Sequence, residues 1–352
     1  MELDELRAKI DNIDDNLLRL LNERMEYVHN VGELKNTTGA PIYRPEREQA
    51  ILNRLKSNNR GKLTNSAIEA LFLELFAVAR NLELPEKIAY LGPESSFTCE
   101  AAKNRFGAMS SYLPIGSIKG VFREVSGGKA KYGVVPIENS SNGLVNDTIQ
   151  SLSRYDLKII AEVALDIHLV FATTCNDIRD IKVIYSKDIA FGQCSNFLED
   201  FGLNDVEQIP IDSTAKAAKI ASQTPNSAAI CANSASTTYS IPVLFKNIED
   251  NSDNRTRFFV VSDFENLSSG NDKSSILVKL PNTPGALFDF LKDFNDAHIN
   301  LAKIKSHIVA GDSIFFLEFD GHREDEKIKK IFDKHRESIK FLGSYVKETE
   351  DV

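Results

Sequence analysis

The chain of 352 residues is too long for one ordinary hydrophobic core, and we expect three domains. Its hydrophobic content of 42% and charged content of 26% are typical of a soluble globular protein. The net charge of −9, without a run of lysines or arginines, argues against binding to nucleic acid and to membrane surfaces.

The cysteines and the first residues bear on cofactors and compartment. Cys99, Cys175, Cys194 and Cys231 match neither a CxxC pair nor a zinc-ligand spacing, so we expect reduced thiols and no metal or other cofactor. The chain begins MELDELRAK, which lacks an apolar leader, and it contains no apolar stretch long enough to span a membrane. We therefore predict a cytoplasmic protein.

Residues 1–84 are predicted to be entirely helical. Apolar residues recur at three- and four-residue spacing over 3–34, which is typical of one long amphipathic helix. A second helix is predicted over 43–55, with Pro45 in its first turn, and a third over 65–82. Because three helices cannot close a sizeable core alone, we expect a homodimer or a higher homo-oligomer.

The long helix carries three cations of interest. On a helix that turns 100° per residue, Arg24 and Lys35 point within about 20° of each other, whereas Arg7 points about 100° away. One helix cannot direct all three at one ligand, although an antiparallel partner helix could. The spacing alone favours the simpler interpretation that these are solvated charges.

The rest of the chain divides into two segments. Over 86–263, the strand-like runs IAYLG, YGVVP, IKVIYS, SAAIC and TRFFVV alternate with helix-like runs, which predicts an α/β domain with mostly parallel strands. A polar, Gly/Ser-rich linker follows at 267–274. Residues 275–350 read as strand, helix, strand, strand, helix, strand, with a hairpin signal at Gly311-Asp312. That order predicts a small ferredoxin-like βαββαβ module.

The runs ELRAKIDNIDDNLLRLLNERM, VGELK and YRPEREQAIL resemble the all-helical chorismate mutases over some 80 residues. The resemblance implies an intertwined homodimer that binds chorismate. Matched to that pattern, Arg7, Lys35 and Arg47 are cationic ligands, Arg24 is the arginine donated across the dimer, and Glu48 holds the substrate hydroxyl. The Claisen rearrangement needs a compressed conformer and positive charge near the breaking ether bond, which such cations provide.

Two positions depart from the mutase pattern. Glu83 stands where many members have Gln beside the ether oxygen, so we expect Glu83 to act protonated and mutase activity to fall as the pH rises. Ala79 replaces a common Ser, so one hydrogen bond to substrate is absent. Glu83 can also be read as a plain surface charge at a helix end.

The runs GPESSFTCEAA, VVPIENSSNG, IYSKDIAFGQCSNFL and NRTRFFVV resemble prephenate dehydratase across the α/β segment. The resemblance implies two α/β lobes with the active site in their cleft and the threonine of Thr-Arg-Phe, here Thr256, as the principal catalytic group. The matching polar positions are Asn139, Ser186, Gln193 and Asp212. Arg257 is expected to orient Thr256 or to bind a substrate carboxylate. After Ser186 the chain has Lys-Asp-Ile, where members commonly have His and Pro.

The run LPNTPGALFDFLKDFNDAHINL resembles the ACT regulatory domain that binds phenylalanine. Its implied effector positions are Gly285, Ala286, Leu287, Phe288 and Ser306. Where the family has Glu-Ser-Arg-Pro, this chain has Lys-Ser-His-Ile at 305–308, which reverses one charge near the ligand. We therefore expect weak or altered inhibition by phenylalanine.

Two classes of function follow from these observations. The first is a bifunctional enzyme of phenylalanine biosynthesis that converts chorismate to prephenate and prephenate to phenylpyruvate. The second is a non-catalytic, two-lobed binding or sensing protein with an ACT module. Within the enzyme class, the mutase site is the one that could be degenerate, given Ala79 and Glu83. The intact Thr256-Arg257-Phe258 motif favours the bifunctional enzyme.

Overall fold

The computed structural model describes residues 3–38, 43–83, 86–140, 143–309 and 312–347. These residues form two compact units. The first extends to Glu86 and includes Phe106–Ser111, and the second comprises Lys87–Arg105 and Tyr112–Val352. Gly311 of the predicted hairpin lies outside the described residues.

The first unit is helical, as the apolar spacing predicted. Its helices are α1 (Leu3–Thr38), α2 (Pro45–Asn58) and α3 (Asn65–Glu83). Proline opens α2, where its missing N–H costs no hydrogen bond and its fixed φ suits the first turn. Ile68, Phe76, Ala77 and Ala79 of α3 are buried.

Much of the apolar stripe of α1 is not covered by its own chain. The exposed apolar residues of α1 include Leu3, Leu6, Ile10, Ile13, Leu17, Leu18, Leu20, Val31 and Leu34. A contiguous apolar surface of this kind is typical of an interface rather than of a solvated helix.

The second unit begins with two lobes. In chain order their elements are β1 (Lys87–Leu91), α4 (Phe97–Phe106), β2 (Ser111–Ile115), α5 (Ile118–Ser126), β3 (Tyr132–Asn139), β4 (Gly143–Leu144), α6 (Asn146–Arg154), β5 (Lys158–Asp166), β6 (Val170–Thr173), β7 (Val183–Ser186), α7 (Asp188–Gln193), α8 (Ser195–Asp200), β8 (Glu207–Pro210), α9 (Thr214–Ala221), β9 (Ser227–Cys231), α10 (Asn233–Thr238), β10 (Val243–Lys246) and β11 (Arg255–Ser262).

Each lobe has its own sheet, and the strand directions are mixed. The first sheet has the order β2-β1-β3-β11-β5, with β4 paired to β3, and the second has the order β10-β6-β9-β7-β8. The pairs β1–β3, β7–β8 and β7–β9 are parallel, whereas β11 is antiparallel to both β3 and β5. The prediction of mostly parallel strands was therefore wrong. After the second lobe, the chain returns to the first lobe and places β11 between two of its strands. On this return, β11 runs in the direction opposite to those two strands.

Two crossings of the chain join the lobes. The first runs from β5 to β6 and the second from β10 to β11. Ile167 and Leu169 on the first crossing, and Asn254 at the end of the second, line the cleft between the lobes. The return crossing therefore delivers the start of β11, with its Thr-Arg pair, to the cleft.

The last module has the predicted βαββαβ order. Its elements are β12 (Asp272–Lys279), α11 (Ala286–Asp296), β13 (Leu301–Val309), β14 (Asp312–Asp320), α12 (Glu326–Lys334) and β15 (Ile339–Val346), with sheet order β13-β14-β12-β15. Its sheet packs on the first lobe, where Phe259 and Tyr345 rings lie 5.9 Å apart in one core. At Gly343 a Cβ would lie 2.1 Å from the Ile159 carbonyl oxygen, so only glycine permits this approach.

Candidate active sites

The cleft between the two lobes holds a cavity of about 420 Å³, a volume suited to a small organic ligand. Both lobes and both crossings contribute to its wall. The described residues that line it are Leu91, Gly92, Ser96, Phe97, Thr98, Ile118, Pro136, Asn139, Gly143, Leu144, Val145, Ile167, Leu169, Lys187, Ile189, Ala190, Gln193, Asp212, Ser213, Thr214, Asn254, Thr256 and Phe258. The wall is mostly apolar, with a few polar groups that can orient a ligand.

Thr256 lines this cleft from the start of β11 and is held by an amide. Asn139 on β3 is its register partner, and Asn139 Nδ2 donates a hydrogen bond to Thr256 Oγ1 at 2.8 Å. Because Thr256 Oγ1 accepts this bond, its own hydrogen can be donated to another acceptor. The sequence pattern named Thr256 and Asn139 separately, and the fold brings them into contact.

Asn254 is a cleft residue that the sequence interpretation did not assign. It is 2% exposed, its Oδ1 accepts from Asn139 Nδ2 at 2.9 Å, and its own Nδ2 has no hydrogen-bond partner among the described residues. A buried donor without an acceptor costs about 1–3 kcal/mol, so a ligand oxygen would satisfy it. Its place in the sequence, two residues before Thr256, was the available signal.

Two further residues assigned from the resemblance, Gln193 and Asp212, also line the cleft. Asp212 Oδ2 accepts from Lys216 Nζ at 2.7 Å, and this hydrogen bond together with the lysine charge lowers the pKa of Asp212 below its ordinary value. Asp212 therefore remains ionised with its own counterion at the rim.

The structure places Ser186 and Arg257 away from the cleft, which corrects their assignment as substrate ligands. Ser186 is fully buried and its hydroxyl donates to the Ile230 carbonyl at 2.8 Å, so it joins two strands of the second sheet. Arg257 follows Thr256 directly on β11, and successive side chains of a strand point to opposite faces. Because the Thr256 hydroxyl points to the cleft, the side chain of Arg257 points away from the cleft.

Arg257 is instead the centre of an ionic cluster shared with the last module. Its guanidinium donates to Glu318 Oε1 at 2.7 Å and Oε2 at 3.0 Å, to Glu162 at 2.7 Å and to Glu138 at 3.1 Å. Lys273 pairs with Glu162, and Lys303 pairs with Glu138. Three carboxylates thus meet three cations in a mostly buried setting.

Replacing Glu318 by glutamine should destabilise the second unit by about 1.5–3 kcal/mol, because it removes a charged, doubly hydrogen-bonded partner from the mostly buried Arg257 and leaves Glu162 and Glu138 to compensate it. Burial opposes ionisation of Glu318, but its hydrogen bond to Arg257 and the arginine charge outweigh burial and lower the pKa of Glu318. A lowered carboxylate pKa means that this stability is present above the ordinary glutamate range and is lost as the pH falls through the folded value. Thermal unfolding should therefore show less acid dependence in Glu318→Gln.

Circular dichroism suits this measurement, since the chain has no tryptophan. Glu324→Gln is the matched control, because Glu324 pairs with Lys329 at 2.8 Å on the surface, where such a pair contributes about 0–1 kcal/mol. Equal effects of the two substitutions would contradict the role assigned to the cluster.

The helical unit brings several predicted mutase residues together at α1, α2 and α3. Lys35 Nζ donates to Glu83 Oε2 at 2.9 Å, so the two side chains form a pair between α1 and α3. Gly32 permits the approach of α1 to Glu83, because a Cβ at Gly32 would lie 3.1 Å from Glu83 Cγ. Substrate would have to compete with Glu83 for Lys35, and the expectation that Glu83 acts protonated stays a prediction.

Glu48 is held by a residue that the sequence interpretation missed. The guanidinium of Arg80 donates to Glu48 Oε1 and, at 2.9 Å, to the Phe106 carbonyl, and it lies 5.3 Å from the Tyr43 ring centroid. Arg80 is 7% exposed, within the otherwise apolar buried face of α3. An arginine at a core position of an amphipathic helix was the signal for this carboxylate partner.

Arg24 lies close to the same carboxylates of its own chain, whereas the resemblance assigns it to the site of a second subunit. Its guanidinium lies 5.9 Å from the Phe76 ring centroid. Burial lowers the pKa of Arg24, and the nearby charges of Glu48 and Glu83 oppose that shift. The 36 residues of α1 explain the difference, since they extend the N-terminal part of the helix away from this cluster.

The remaining mutase cations are exposed. Arg7 pairs with Asp4 at 3.5 Å and lies about 26 Å along α1 from Arg24, too far to share a ligand within one chain. Arg47 is on α2, next to Glu48, with an exposed side chain. Ala79 is buried.

The predicted effector residues lie at an open surface of the last module. Gly285 has a φ of +87° before the first residue of α11, a conformation that favours glycine. Ala286 and Leu287 are half-buried, whereas Phe288 is 70% exposed. Lys305 and Ser306 are exposed on β13, an edge strand, and the side chains of His307 and Ile308 lie outside the described residues.

Within the described ranges, no cluster of three His, Cys, Asp or Glu side chains is arranged to hold a metal ion. The four cysteines are unpaired thiols. None of the helices in those ranges combines the length and apolarity that a membrane span requires.

Comparison with known proteins decides between the two classes of function. Family models match as chorismate mutase type II over residues 6–84, prephenate dehydratase over 88–266 and ACT domain over 274–337. The bifunctional chorismate mutase/prephenate dehydratase of Aquifex aeolicus is 38% identical over 356 residues, which cover 98% of each chain. The chain belongs to the bifunctional chorismate mutase/prephenate dehydratase family.

A Pseudomonas aeruginosa member of this family is 39% identical over 360 residues, again covering 98% of each chain. The crystal structure of prephenate dehydratase in complex with L-Phe from Arthrobacter aurescens is 30% identical with a TM-score of 0.69, covering 74% of this chain and 90% of that one. As a member of the bifunctional family, the protein rearranges chorismate to prephenate and converts prephenate to phenylpyruvate in phenylalanine biosynthesis.

Proposed function

We propose that dehydration takes place in the cleft between the lobes, with Thr256 as the donor to the departing hydroxyl group. The observation that carries this proposal is the hydrogen bond from Asn139 Nδ2 to Thr256 Oγ1 at 2.8 Å. It occupies the threonine oxygen and leaves the threonine hydrogen for substrate. Asn254, which accepts from the same amide, fixes the orientation of Asn139.

The reaction needs little from the protein beyond the Thr256 hydrogen-bond donor and a cavity that fits the substrate. As the bond between the ring and its carboxylate breaks, its electrons enter the ring and expel the hydroxyl group on the opposite carbon. Carbon dioxide, water and the aromatic phenylpyruvate result, with one proton taken up from solvent through the threonine hydrogen bond. Phe258 and the other apolar wall residues exclude water from the ring.

We propose that the mutase site is built on Arg24, Lys35, Glu48 and Glu83 of one chain, with Arg47 beside them and Arg7 supplied by a second copy. The exposed apolar stripe of α1 supports a homodimer, because a second copy could cover it. An antiparallel α1 from that copy would bring the distant Arg7 to the cluster. The cations would then bind both carboxylates of chorismate, and Lys35 would face the ether oxygen of chorismate.

Separate assays of the two reactions test this division of labour. Loss of prephenate consumption alone in Thr256→Ala, and of chorismate consumption alone in Lys35→Ala, would support two independent sites. Simultaneous loss of both activities in a folded variant would contradict it.

The free cysteines and the biosynthetic role support a cytoplasmic location.

We propose that phenylalanine is the effector class of the last module, with Gly285, Ala286, Leu287, Phe288 and Ser306 at its site. Binding should be weak, because Lys305 places a positive charge where the ammonium group of an amino acid would meet the family's glutamate. Calorimetry with L-phenylalanine should show little heat, and Lys305→Glu should strengthen binding by about tenfold, the effect of one charged hydrogen bond. Micromolar binding by the unaltered chain would contradict this prediction.

A further inference from the structure

The dehydratase cleft offers its substrate very little positive charge. Prephenate carries two carboxylates, and the charged side chains among the described residues that line the cavity are Lys187 and Asp212. Asp212 is committed to Lys216 at 2.7 Å. Two arginines flank Thr256 in sequence, and neither lines the cavity: Arg255 pairs with Asp166 at 3.8 Å, and Arg257 is held by three carboxylates. Lys187 is therefore the cation that remains for an anionic ligand.

The place of Lys187 in the fold suits such a ligand. It directly follows β7, a strand that is parallel to both of its neighbours, and ligands of α/β sheets bind beyond the carboxyl ends of parallel strands. Gln193, at the other end of α7, lines the same cavity, as do Ile189 and Ala190 between them. Lys187 thus belongs to the second lobe's wall, whereas Thr256 belongs to the first.

The chemistry of prephenate distinguishes its two carboxylates. The ring carboxylate must leave as neutral carbon dioxide, and a cation paired with it would stabilise the reactant and slow its loss. The pyruvyl carboxylate keeps its charge from substrate to product, so a cation can hold it throughout. The pyruvyl group and the departing hydroxyl are attached to opposite carbons of the ring, which matches a cation on one lobe and a hydroxyl donor on the other.

We propose that Lys187 is the specificity residue that binds the pyruvyl carboxylate of prephenate in the cleft. The inference rests on the proposed assignment of dehydration to this cleft. It adds to that assignment the group that orients the substrate.

The test is steady-state kinetics of Lys187→Gln in the full chain, with Lys187→Arg and Lys182→Gln for comparison. Lys182 is an exposed lysine just before β7 and is outside the cleft wall. In Lys187→Gln the KM for prephenate should rise about 10- to 100-fold, the effect of one charged hydrogen bond, with kcat changed less than about threefold. Lys187→Arg should keep most of the affinity, and Lys182→Gln should match the unaltered chain.

Product inhibition shows which carboxylate is bound. Phenylpyruvate keeps the pyruvyl carboxylate and lacks the ring carboxylate, so its inhibition constant should rise in Lys187→Gln by the same factor as KM. An unchanged KM, a fall in kcat larger than the rise in KM, or unchanged inhibition by phenylpyruvate would each overturn the proposal. Thermal unfolding followed by circular dichroism, compared with that of the unaltered chain, checks that the variant is folded.

Different results would contradict the assignment of dehydration to the cleft and the role of Lys187. If Thr256→Ala abolishes dehydration while Lys187→Gln is unaltered, the cleft is the site and the role of Lys187 is wrong. If Thr256→Ala retains full dehydratase activity, the assignment of the cleft itself is wrong.

Discussion

Thr256→Ala should reduce dehydratase turnover by about 10²–10⁴-fold, the contribution of one positioned proton donor, while leaving chorismate mutase activity unchanged. The physical reason is that hydroxide is a poor leaving group unless a donor stabilises it, and the ring offers no internal donor. The measurement is phenylpyruvate formation from prephenate under saturating substrate. The KM for prephenate should change little, because the hydrogen bond strengthens mainly as the carbon–oxygen bond breaks.

Two further variants sharpen this experiment. Thr256→Ser keeps the hydroxyl and should retain a substantial part of the activity. Asn139→Ala removes the amide that donates to Thr256 Oγ1 at 2.8 Å, so the hydroxyl loses its orientation and turnover should fall by about tenfold. Dehydratase activity that survives in Thr256→Ala, or falls equally in Thr256→Ser, would remove Thr256 from the role of donor.

Lys35→Ala and Arg7→Ala should each reduce mutase turnover by about 10²–10³-fold, because each removes preorganised positive charge from the reacting molecule. Mixing the two inactive variants should restore about a quarter of the activity. In a random mixture about half of the dimers are hybrids, and each hybrid has one site with both Lys35 and the partner's Arg7 intact. The measurement is chorismate consumption after subunit exchange, with dehydratase activity as the internal reference.

The matched control mixes Lys35→Ala with Arg24→Ala. Arg24 lies beside Glu48 and Glu83 of its own chain, so each hybrid site lacks one of the two cations and no activity should return. Recovery in this control, with none in the Arg7 mixture, would restore Arg24 to the role of the residue donated across the dimer. It would also overturn the assignment made to Arg7.

Local patterns predicted the secondary structure well where the periodicity was strong. The three helices of the first unit and the βαββαβ order of the last module follow from apolar spacing and turn residues, which act over a few residues. The strand directions in the lobes did not follow, because the partner of β11 is set by a chain reversal through a second lobe. The alternation of apolar and polar residues along one strand does not indicate which distant strand it will pair with.

Side-chain destinations were harder to predict than elements. The motif Thr-Arg-Phe placed a hydroxyl and a cation together in sequence, but the strand turns them to opposite faces, toward the cleft and toward Glu318. Ser186, one residue from Lys187, is buried between strands for the same reason. A motif match identifies the segment that contributes to a site. The alternation of side chains along the strand then determines which residues of that segment contact a ligand.

The sequence by itself determined the family, the order of three modules and the presence of a threonine and an asparagine suited to the dehydratase reaction. These are properties of residue type, spacing and local periodicity, and they survive without knowledge of the fold. Only the tertiary structure decided that Asn139 bonds Thr256, that Arg24 lies near Glu48 and Glu83 of its own chain and that Lys187 lines the cleft. Those outcomes depend on which distant segments pack together, and packing is a property of the whole chain rather than of any stretch within it.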